Sequence, residues 1–340
     1  MRQDIQKMPF FQRGLSLIEL MIAMVLGLLL MSGVVSIFLS AKQGYVNQDA
    51  TSQLQENARF ALEMMTREIR MVGYGGCSDA ISVANALESY SGLADEFSIG
   101  LRGYEGDATN STFPPTLKAN AQPNTDAIIV HTVDTSGELS VTGHQPSSAK
   151  ISLSTPHSIQ KGDILLMVDA NCSNMAIFAY TGPTNGGNSA TIAVHNTGNL
   201  SGFSYKNCTK ALKGNFDCDD MSGAQSVAYS PGSSVFSIES FAYYIGESSL
   251  DPTINSLYRL DMDDNSEELV EGIDNLEIYY GVASGANIQY RKAGLVAAAQ
   301  WPEVKSVRLI LTSSSLTLVG GQPLTKTFTA TVKIRNRGEA

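Results

Sequence analysis

Charge is almost absent from the first apolar segment of this chain, and proline is absent from a longer segment that includes it. Glu19 is the only charged residue within residues 15–41, and residues 15–72 contain no proline. Without proline, the longer segment can form one helix of roughly 85 Å at 1.5 Å per residue. Residues 15–41 are enough to cross a hydrocarbon core of about 30 Å. We therefore predict a transmembrane helix over residues 15–41.

The motifs of common enzyme classes are also missing. The sequence contains no GxSxG, GxxxxGKS/T, HExxH or GxGxxG, and no CxxC pair that would suggest zinc. Its histidines, His131, His144, His157 and His195, are scattered without an obvious serine or cysteine companion. These absences favour a protein that is not an enzyme and needs no cofactor. A net charge of −10 argues against nucleic acid as a partner.

Glu19 needs a compensating positive charge if it lies inside the membrane. A charged side chain there costs about 2.5–3.5 kcal/mol on insertion scales. Cleavage after Gly14 would create an α-amine on Leu15, one helical turn away, and such amines titrate near about 7.7–8.0. That amine can pair with Glu19 of the same chain or of a neighbouring subunit. The alternative is a bitopic membrane protein whose Glu19 reaches the lipid headgroups.

Residues 1–14 have the properties of a leader that stays in the cytoplasm. They are polar and contain three basic residues, Arg2, Lys7 and Arg13, against the single acid Asp4. Basic residues beside a membrane helix favour the cytoplasmic side, which directs the rest of the chain outward. A secretory signal peptide loses its apolar segment on cleavage, whereas here the apolar segment follows the cut and is retained.

Two stretches carry a resemblance to a known family. They are GLSLIELMIAMVLGLLL at residues 14–30 and QLQENARFALEMMTREIRMVGYGGC at residues 53–77. Both are similar to the start of type IV pilins and pseudopilins, and in particular to the PilW family of minor pilins. Weaker similarity extends to residues 268–281, 301–308 and 331–337.

The resemblance implies a processing site and an assembly residue. In this family a prepilin peptidase cuts after a glycine, here Gly14, and methylates the new amine, here on Leu15. Glu19 is then the residue that sets the register of the subunit in the fibre. One departure is that Leu15 stands where the family usually has phenylalanine, which bears on methylation more than on cleavage.

The resemblance also implies a location and partners. The chain is expected in the bacterial inner membrane as a single-pass protein with its head in the periplasm, and later in the pilus fibre. The implied partners are other minor pilins, the major pilin, a tip adhesin, the prepilin peptidase and the inner-membrane assembly platform. Two alternatives stay open: a J-type pseudopilin of a type II secretion system, and a surface-binding adhesin module at the pilus tip.

Residues 42–76 continue the helix beyond the membrane. Their apolar residues recur every three or four positions on one side of a helical wheel, as a face that packs on a head requires: Val46, Ala50, Leu54, Ala58, Ala61, Met65, Ile69 and Val72. Glu68 also falls on this side. Either the apolar face is exposed to water there, or Glu68 pairs with a basic residue of the head, and Arg308 is the residue that we name. Glycines at 73, 75 and 76 are expected to end the helix.

Residues 77–340 form the predicted head. Short apolar runs, several of them alternating, are separated by turn-forming residues and indicate strands at 126–133, 150–153, 163–169, 175–181, 235–245, 257–261, 273–282, 304–312 and 326–335. Residues 87–123 and 182–204 lack a sustained period and are predicted to be long surface loops. We expect an α+β fold: a long N-terminal helix packed on a β-rich, mainly antiparallel pilin-like head with room for two subdomains.

All four cysteines lie beyond the membrane segment, which fits disulfides in an oxidising periplasm: Cys77, Cys172, Cys208 and Cys218. Three pairings are possible, and the sequence does not choose among them. We expect Cys208 to pair with Cys218, which closes a short loop, and Cys77 to pair with Cys172.

One acidic stretch is a weak candidate for calcium. Asp261, Asp263 and Asn265 begin like a calcium loop, because hard cations prefer oxygen ligands at alternate positions. Ser266 and Gly272 then occupy the places of the required glycine and the bidentate glutamate. We therefore expect an acidic turn between strands and no metal site.

Overall fold

A computed structural model describes residues 16–73, 82–90, 93, 97–183, 191–285, 287–335 and 337. Its longest element is the helix α1, Leu17–Arg70. Ser16 caps the start of α1, and Met71 follows its last turn. Gly73 has a φ of +66°, a left-handed conformation that stops a helix and favours glycine. The predicted uninterrupted helix is confirmed, while Gly75 and Gly76 lie outside the described residues.

The rest of the described chain is mostly strands. In chain order they are β1 Ser82–Asn85, β2 Leu87–Glu88, β3 Leu101–Tyr104, β4 Ala127–Val133, β5 Leu139–Gln145, β6 Lys150–Leu153, β7 Ile164–Val168, β8 Asn174–Ala179, β9 Ile192–Val194, β10 Lys206–Asn207, β11 Ser234–Glu247, β12 Asn255–Leu260, β13 Ser266–Glu271, β14 Ile273–Ser284, β15 Asn287–Arg291, β16 Val304–Val319 and β17 Gln322–Lys333. A short helix α2, Pro115–Asn120, lies between β3 and β4.

The strands form three sheets. One has four antiparallel strands in the order β15-β14-β16-β17, and a small one pairs β10 with β2. The largest sheet follows the path β1-β8-β7-β11-β5-β6-β9, with β3, β4, β12 and β13 attached on the β11 side. β11 links its two parts, because its first residues pair with β7 and its later residues pair with β4 and β12. Apart from β1 with β8, the named strand pairs are antiparallel, so the predicted fold class is confirmed.

The buried apolar clusters of the head follow the division of the strands into sheets and of the largest sheet into two parts. The helix end of the head has one large apolar cluster, in which Met65 and Ile69 of α1 join Ile278 of β14 and Leu309 of β16. Three other clusters of the described residues include no residue of α1. Two of them form from strands β1 and β4–β9, the first part of β11 and the segments beside them, and the third joins α2 to β4 and the later part of β11. The part of the head that carries α1 is therefore built from β14, β16 and β4 with their neighbours.

All nine predicted strands are present, several extended by a few residues. The two predicted loops are wrong in part. Residues 87–123 contain β3 and α2, with Leu101 and Leu117 fully buried. The second segment contains β9, with Ala193 fully buried. These elements are too short to show a sustained period, and contacts with distant strands, such as β3 with β4, decide their conformation.

Candidate functional site: the N-terminal helix and its contacts with the head

The first half of α1 is exposed on all sides within this chain. No residue of 16–45 is buried, and large apolar side chains from Leu17 to Leu39 are about half or more exposed. The helix is long and apolar enough to cross a membrane. A soluble protein rarely leaves so large a continuous apolar surface in water, so lipid or other helices must cover it.

Glu19 takes part in the cap of this exposed helix. Its Oε2 accepts hydrogen bonds from the backbone N–H and the hydroxyl of Ser16, at 2.9 and 3.0 Å, while Ser16 Oγ accepts from the Glu19 N–H at 3.2 Å. This reciprocal arrangement is a capping box. Oε1 of Glu19 makes no hydrogen bond within the described residues, so one carboxylate oxygen faces no partner from them. Gly14 and Leu15 lie outside the described residues.

The second half of α1 is covered by its own head. The predicted apolar stripe is buried from its second residue onward, while Val46 is half-exposed; the buried members are Ala50, Leu54, Ala58, Ala61, Met65, Ile69 and Val72. Polar contacts between the second half of α1 and the head add to this packing. Asn57 donates from Nδ2 to the carbonyl of Glu271 at 3.1 Å, and the Arg335 N–H donates to the carbonyl of Arg70 at 3.1 Å.

Glu68 joins α1 to the head through two partners. Tyr243 of β11 donates its hydroxyl hydrogen to Oε2 of Glu68, and Nη1 of Arg259 of β12 lies 3.5 Å from Oε1. Arg259 also pairs with Glu267 at 2.8 Å and lies 4.7 Å from the ring centre of Phe241. Burial, and then the negative charge of Glu68, raise the pKa of the Tyr243 hydroxyl, which therefore stays a donor.

The prediction that Glu68 pairs with Arg308 is wrong. Arg308 lies 4.0 Å from the ring centre of Tyr290 and donates from Nε to Thr331 Oγ1 at 3.4 Å. The position of Glu68 on the apolar side of the wheel did indicate a basic partner. Its identity depends on the pairing of β11 with β12, which no local pattern reveals.

The cysteines agree with the expected short loop. Cys208 and Cys218 form a disulfide. Cys172 is also disulfide-bonded. Cys77 lies outside the described residues, so its pairing with Cys172 stays a prediction.

The calcium candidate forms a turn between β12 and β13. Oδ1 of Asp261 accepts from the N–H groups of Asp263 and Asn265, both at 2.9 Å, and Oδ2 accepts from Asn265 Nδ2 at 3.0 Å. The Asp261 carboxylate therefore stabilises the turn itself. Among the described residues, no group of three or more His, Cys, Asp or Glu side chains is placed to hold a metal ion.

The expectation of histidines without a serine companion is wrong for His131. Its Nδ1 lies 2.9 Å from Ser240 Oγ, on the facing strand β11. Both side chains are buried, at 1% and 0% exposure, so a substrate in solution does not reach either. Burial lowers the pKa of His131 to about 3, and the ring is neutral at neutral pH. This pair is enclosed in the sheet.

A second buried pair joins His144 and His195. Their Nε2 atoms are 3.1 Å apart, and the Tyr229 N–H donates to Nδ1 of His144 at 3.2 Å. Burial lowers the pKa of His144 to about 4 and that of His195 to about 3. Both rings lie in the interior of the head. Neither the His131–Ser240 contact nor the His144–His195 contact could be found from sequence spacing.

Comparisons with known proteins match two parts of the chain. A family model described as "PilW: Type IV Pilus-assembly protein W" matches residues 242–331, which include Tyr243, Arg259 and most of the sheet that packs on α1. A model described as "Prokaryotic N-terminal methylation motif" matches residues 10–35, which include Gly14, Leu15 and Glu19. No curated protein and no solved structure matches the chain.

Proposed function

The two family matches support a type IV pilus minor pilin, held in the inner membrane by its N-terminal apolar helix, and from this premise we propose that the chain primes or supports pilus assembly. It is cleaved after Gly14, methylated on Leu15 and inserted among other minor pilins through its helix. The match of residues 242–331 to a pilus-assembly family favours this role over that of a secretion pseudopilin.

The observation that carries the proposal is the exposed half of α1. Head residues cover the helix from Ala50 onward and leave residues 17–45 without cover. Packing against other helices inside the membrane or the fibre core can complete that surface. A protein that worked alone as a tethered head would need only an anchor, and an acidic residue within that anchor would be a disadvantage.

Glu19 makes such packing selective for one register. An unpaired carboxylate in hydrocarbon costs about 2.5–3.5 kcal/mol on insertion scales. The amine that cleavage creates on a neighbour's first residue removes this disadvantage, but only at an axial offset that brings the two groups together. The capping box occupies Oε2, and Oε1 is the oxygen that we assign to the neighbour's amine.

Substitution of Glu19 tests the proposal. Glu19→Ala, and Glu19→Gln as the variant that keeps size and loses charge, should still be processed, as shown by the mobility and mass of the mature form. Both should reduce the amount of this subunit in sheared fibres and its co-purification with other minor pilins. Glu63→Ala, an exposed charge on the same helix, serves as the control. Normal fibres with normal incorporation in both Glu19 variants would contradict the proposal.

A separate variant tests the processing step. Gly14→Leu places a bulky side chain at the cleavage site and should leave the leader attached, visible as an unshifted band. Processing at the normal rate would rule out Gly14 as the recognised residue without affecting the role of Glu19.

A further inference from the structure

The hairpin formed by β16 and β17 runs along α1 toward the membrane. At one end, the Ile334 N–H bonds the carbonyl of Lys305 at 2.9 Å, and the next residue, Arg335, bonds the carbonyl of Arg70 near the top of α1. Toward the other end, the Leu316 side chain lies beside Gly272, and the neighbouring Glu271 accepts a hydrogen bond from Asn57 of α1 at 3.1 Å. β16 therefore runs antiparallel to α1, and the turn that joins it to β17 points at the membrane-spanning half.

The turn also projects beyond the sheet. Pairing of β14 with β16 stops at Ser313, whereas β16 and β17 stay paired to Val319 and Gln322. The last part of the hairpin is a two-stranded ribbon without β14 beside it. It is not required to complete the four-stranded sheet, so another role is open to it.

The turn lies near the membrane surface along the axis of α1. From Leu316 to Gly320 the strand advances about 13 Å at 3.3 Å per residue. The same distance along α1 is about nine residues, which brings the turn level with Gln48, about one helical turn from Tyr45. Tyr45 is 72% exposed and follows Lys42, and aromatic and basic residues of this kind occupy membrane interfaces. Gln48 lies about 10 Å beyond Ala41 at 1.5 Å per residue, and the headgroup layer is about 5–8 Å deep on each side. An exposed side chain at the turn therefore meets the outer part of that layer.

The composition of the hairpin suits that position. Residues 309–325 carry no charge, and residues 304–338 contain no acidic residue, although the chain has 33. Leu318 near the turn is 57% exposed. Asp49 and Glu56 of α1 lie at a similar level, so an apolar contact suits this region better than attraction to anionic lipid.

We propose that the β16–β17 turn, through Leu318, inserts into the headgroup region of the bilayer that holds α1. The head then has two contacts with the membrane, the helix and the turn, which fix its tilt before the subunit leaves the membrane. This inference depends on the membrane location of the chain and does not depend on the assembly role of Glu19.

Site-specific labelling of the full chain tests this contact. Leu318→Cys carries an environment-sensitive fluorophore, and the chain is reconstituted alone into phosphatidylcholine nanodiscs that contain headgroup-proximal spin-labelled lipid. Lys333→Cys is the matched control, because Lys333 is exposed on the partner strand β17 at the far end of the same hairpin. The described cysteines are disulfide-bonded and do not compete for label.

The expected result is a blue-shifted emission at 318 and quenching by the labelled lipid several-fold stronger than at 333. Equal quenching at the two positions, with equal access to aqueous iodide, would overturn the proposal. Protection of position 318 only after other pilus subunits are added would also overturn it, in favour of a subunit contact. Because the assay uses one subunit and no fibre, its failure is distinguishable from failure of the assembly role.

Discussion

The two halves of α1 belong to one helix but have different surroundings. Residues 17–45 are exposed around the whole circumference, whereas from Ala50 to Ile69 one face of the helix is fully covered by the head. The upper half finds its packing and its ion pair within the chain, as Glu68 and Arg259 illustrate. The lower half has a carboxylate, Glu19, and no basic partner for it among the described residues.

This difference separates stability from assembly. Changes on the buried face of the upper half should alter the free energy of unfolding of the head. Changes in the lower half should leave that free energy unchanged and alter membrane or subunit packing. The buried Trp301, the only tryptophan of the chain, reports on the head core and makes the two effects separable in detergent.

Acid should have the largest effect on the free energy of unfolding of the head. Burial lowers the pKa of His131 and His195 to about 3 and that of His144 to about 4, from an ordinary value of 6.5. Below pH 6.5 the unfolded chain therefore binds protons that the folded head does not. The free energy of unfolding should fall by up to about 1.4 kcal/mol per pH unit for each histidine, until the folded pKa is reached.

Urea unfolding followed by Trp301 fluorescence between pH 7 and pH 4.5 measures this loss. Asp163 and Glu239 act in the opposite sense, because burial raises the pKa of their carboxyl groups. His131→Phe should make the slope with pH shallower. An unchanged slope in that variant, or stability that does not fall with acid, would contradict the assignment of these rings as buried and neutral.

A pair of truncations should give the next largest difference. Met65→Ala removes a fully buried side chain from the cluster between α1 and the sheets, and should lower the free energy of unfolding by about 2–5 kcal/mol. Leu28→Ala, at a position 70% exposed, should change it by less than about 0.5 kcal/mol. Similar losses from the two variants in denaturant unfolding would remove the contrast between the halves.

The link between Glu68 and the head should give a smaller effect. Glu68→Ala leaves the Tyr243 hydroxyl, in a fully buried residue, without its acceptor, and should lower the free energy of unfolding by about 1–3 kcal/mol. Glu63→Ala, an exposed acid one turn earlier, should change it by less than about 0.5 kcal/mol. A double-mutant cycle with Tyr243→Phe isolates the pair, and additive losses would show that the two residues do not interact.

The fold could be predicted where a segment carries its own pattern. The stripe from Ala50 to Val72 and the alternation in β17 both follow from local spacing, and both elements are present. β13, with its run of acidic residues, and β15, which is exposed or half-exposed throughout, have little apolar pattern of their own. Pairing with β12 and with β14 makes them strands. Such strands are decided by neighbours far away in sequence.

The residues of the candidate site also fall into those that a local sequence pattern reveals and those that depend on distant contacts. Glu19 stands out because a single acid in an apolar run needs no structural context to be noticed. Arg259 and Ser240 could not be identified, because each meets its partner across more than 100 residues of sequence. The short Cys208–Cys218 loop was predictable because its two cysteines have a sequence separation of only 10.

The most direct measurement is the identity of the first residue of the mature protein purified from its native membrane or fibre. Intact mass and N-terminal sequencing should give N-methylated Leu15, whose amine supplies the positive charge that Glu19 requires. A chain that begins at Met1 would lack that amine beside the carboxylate, and would contradict the account of Glu19 as the residue that sets subunit register.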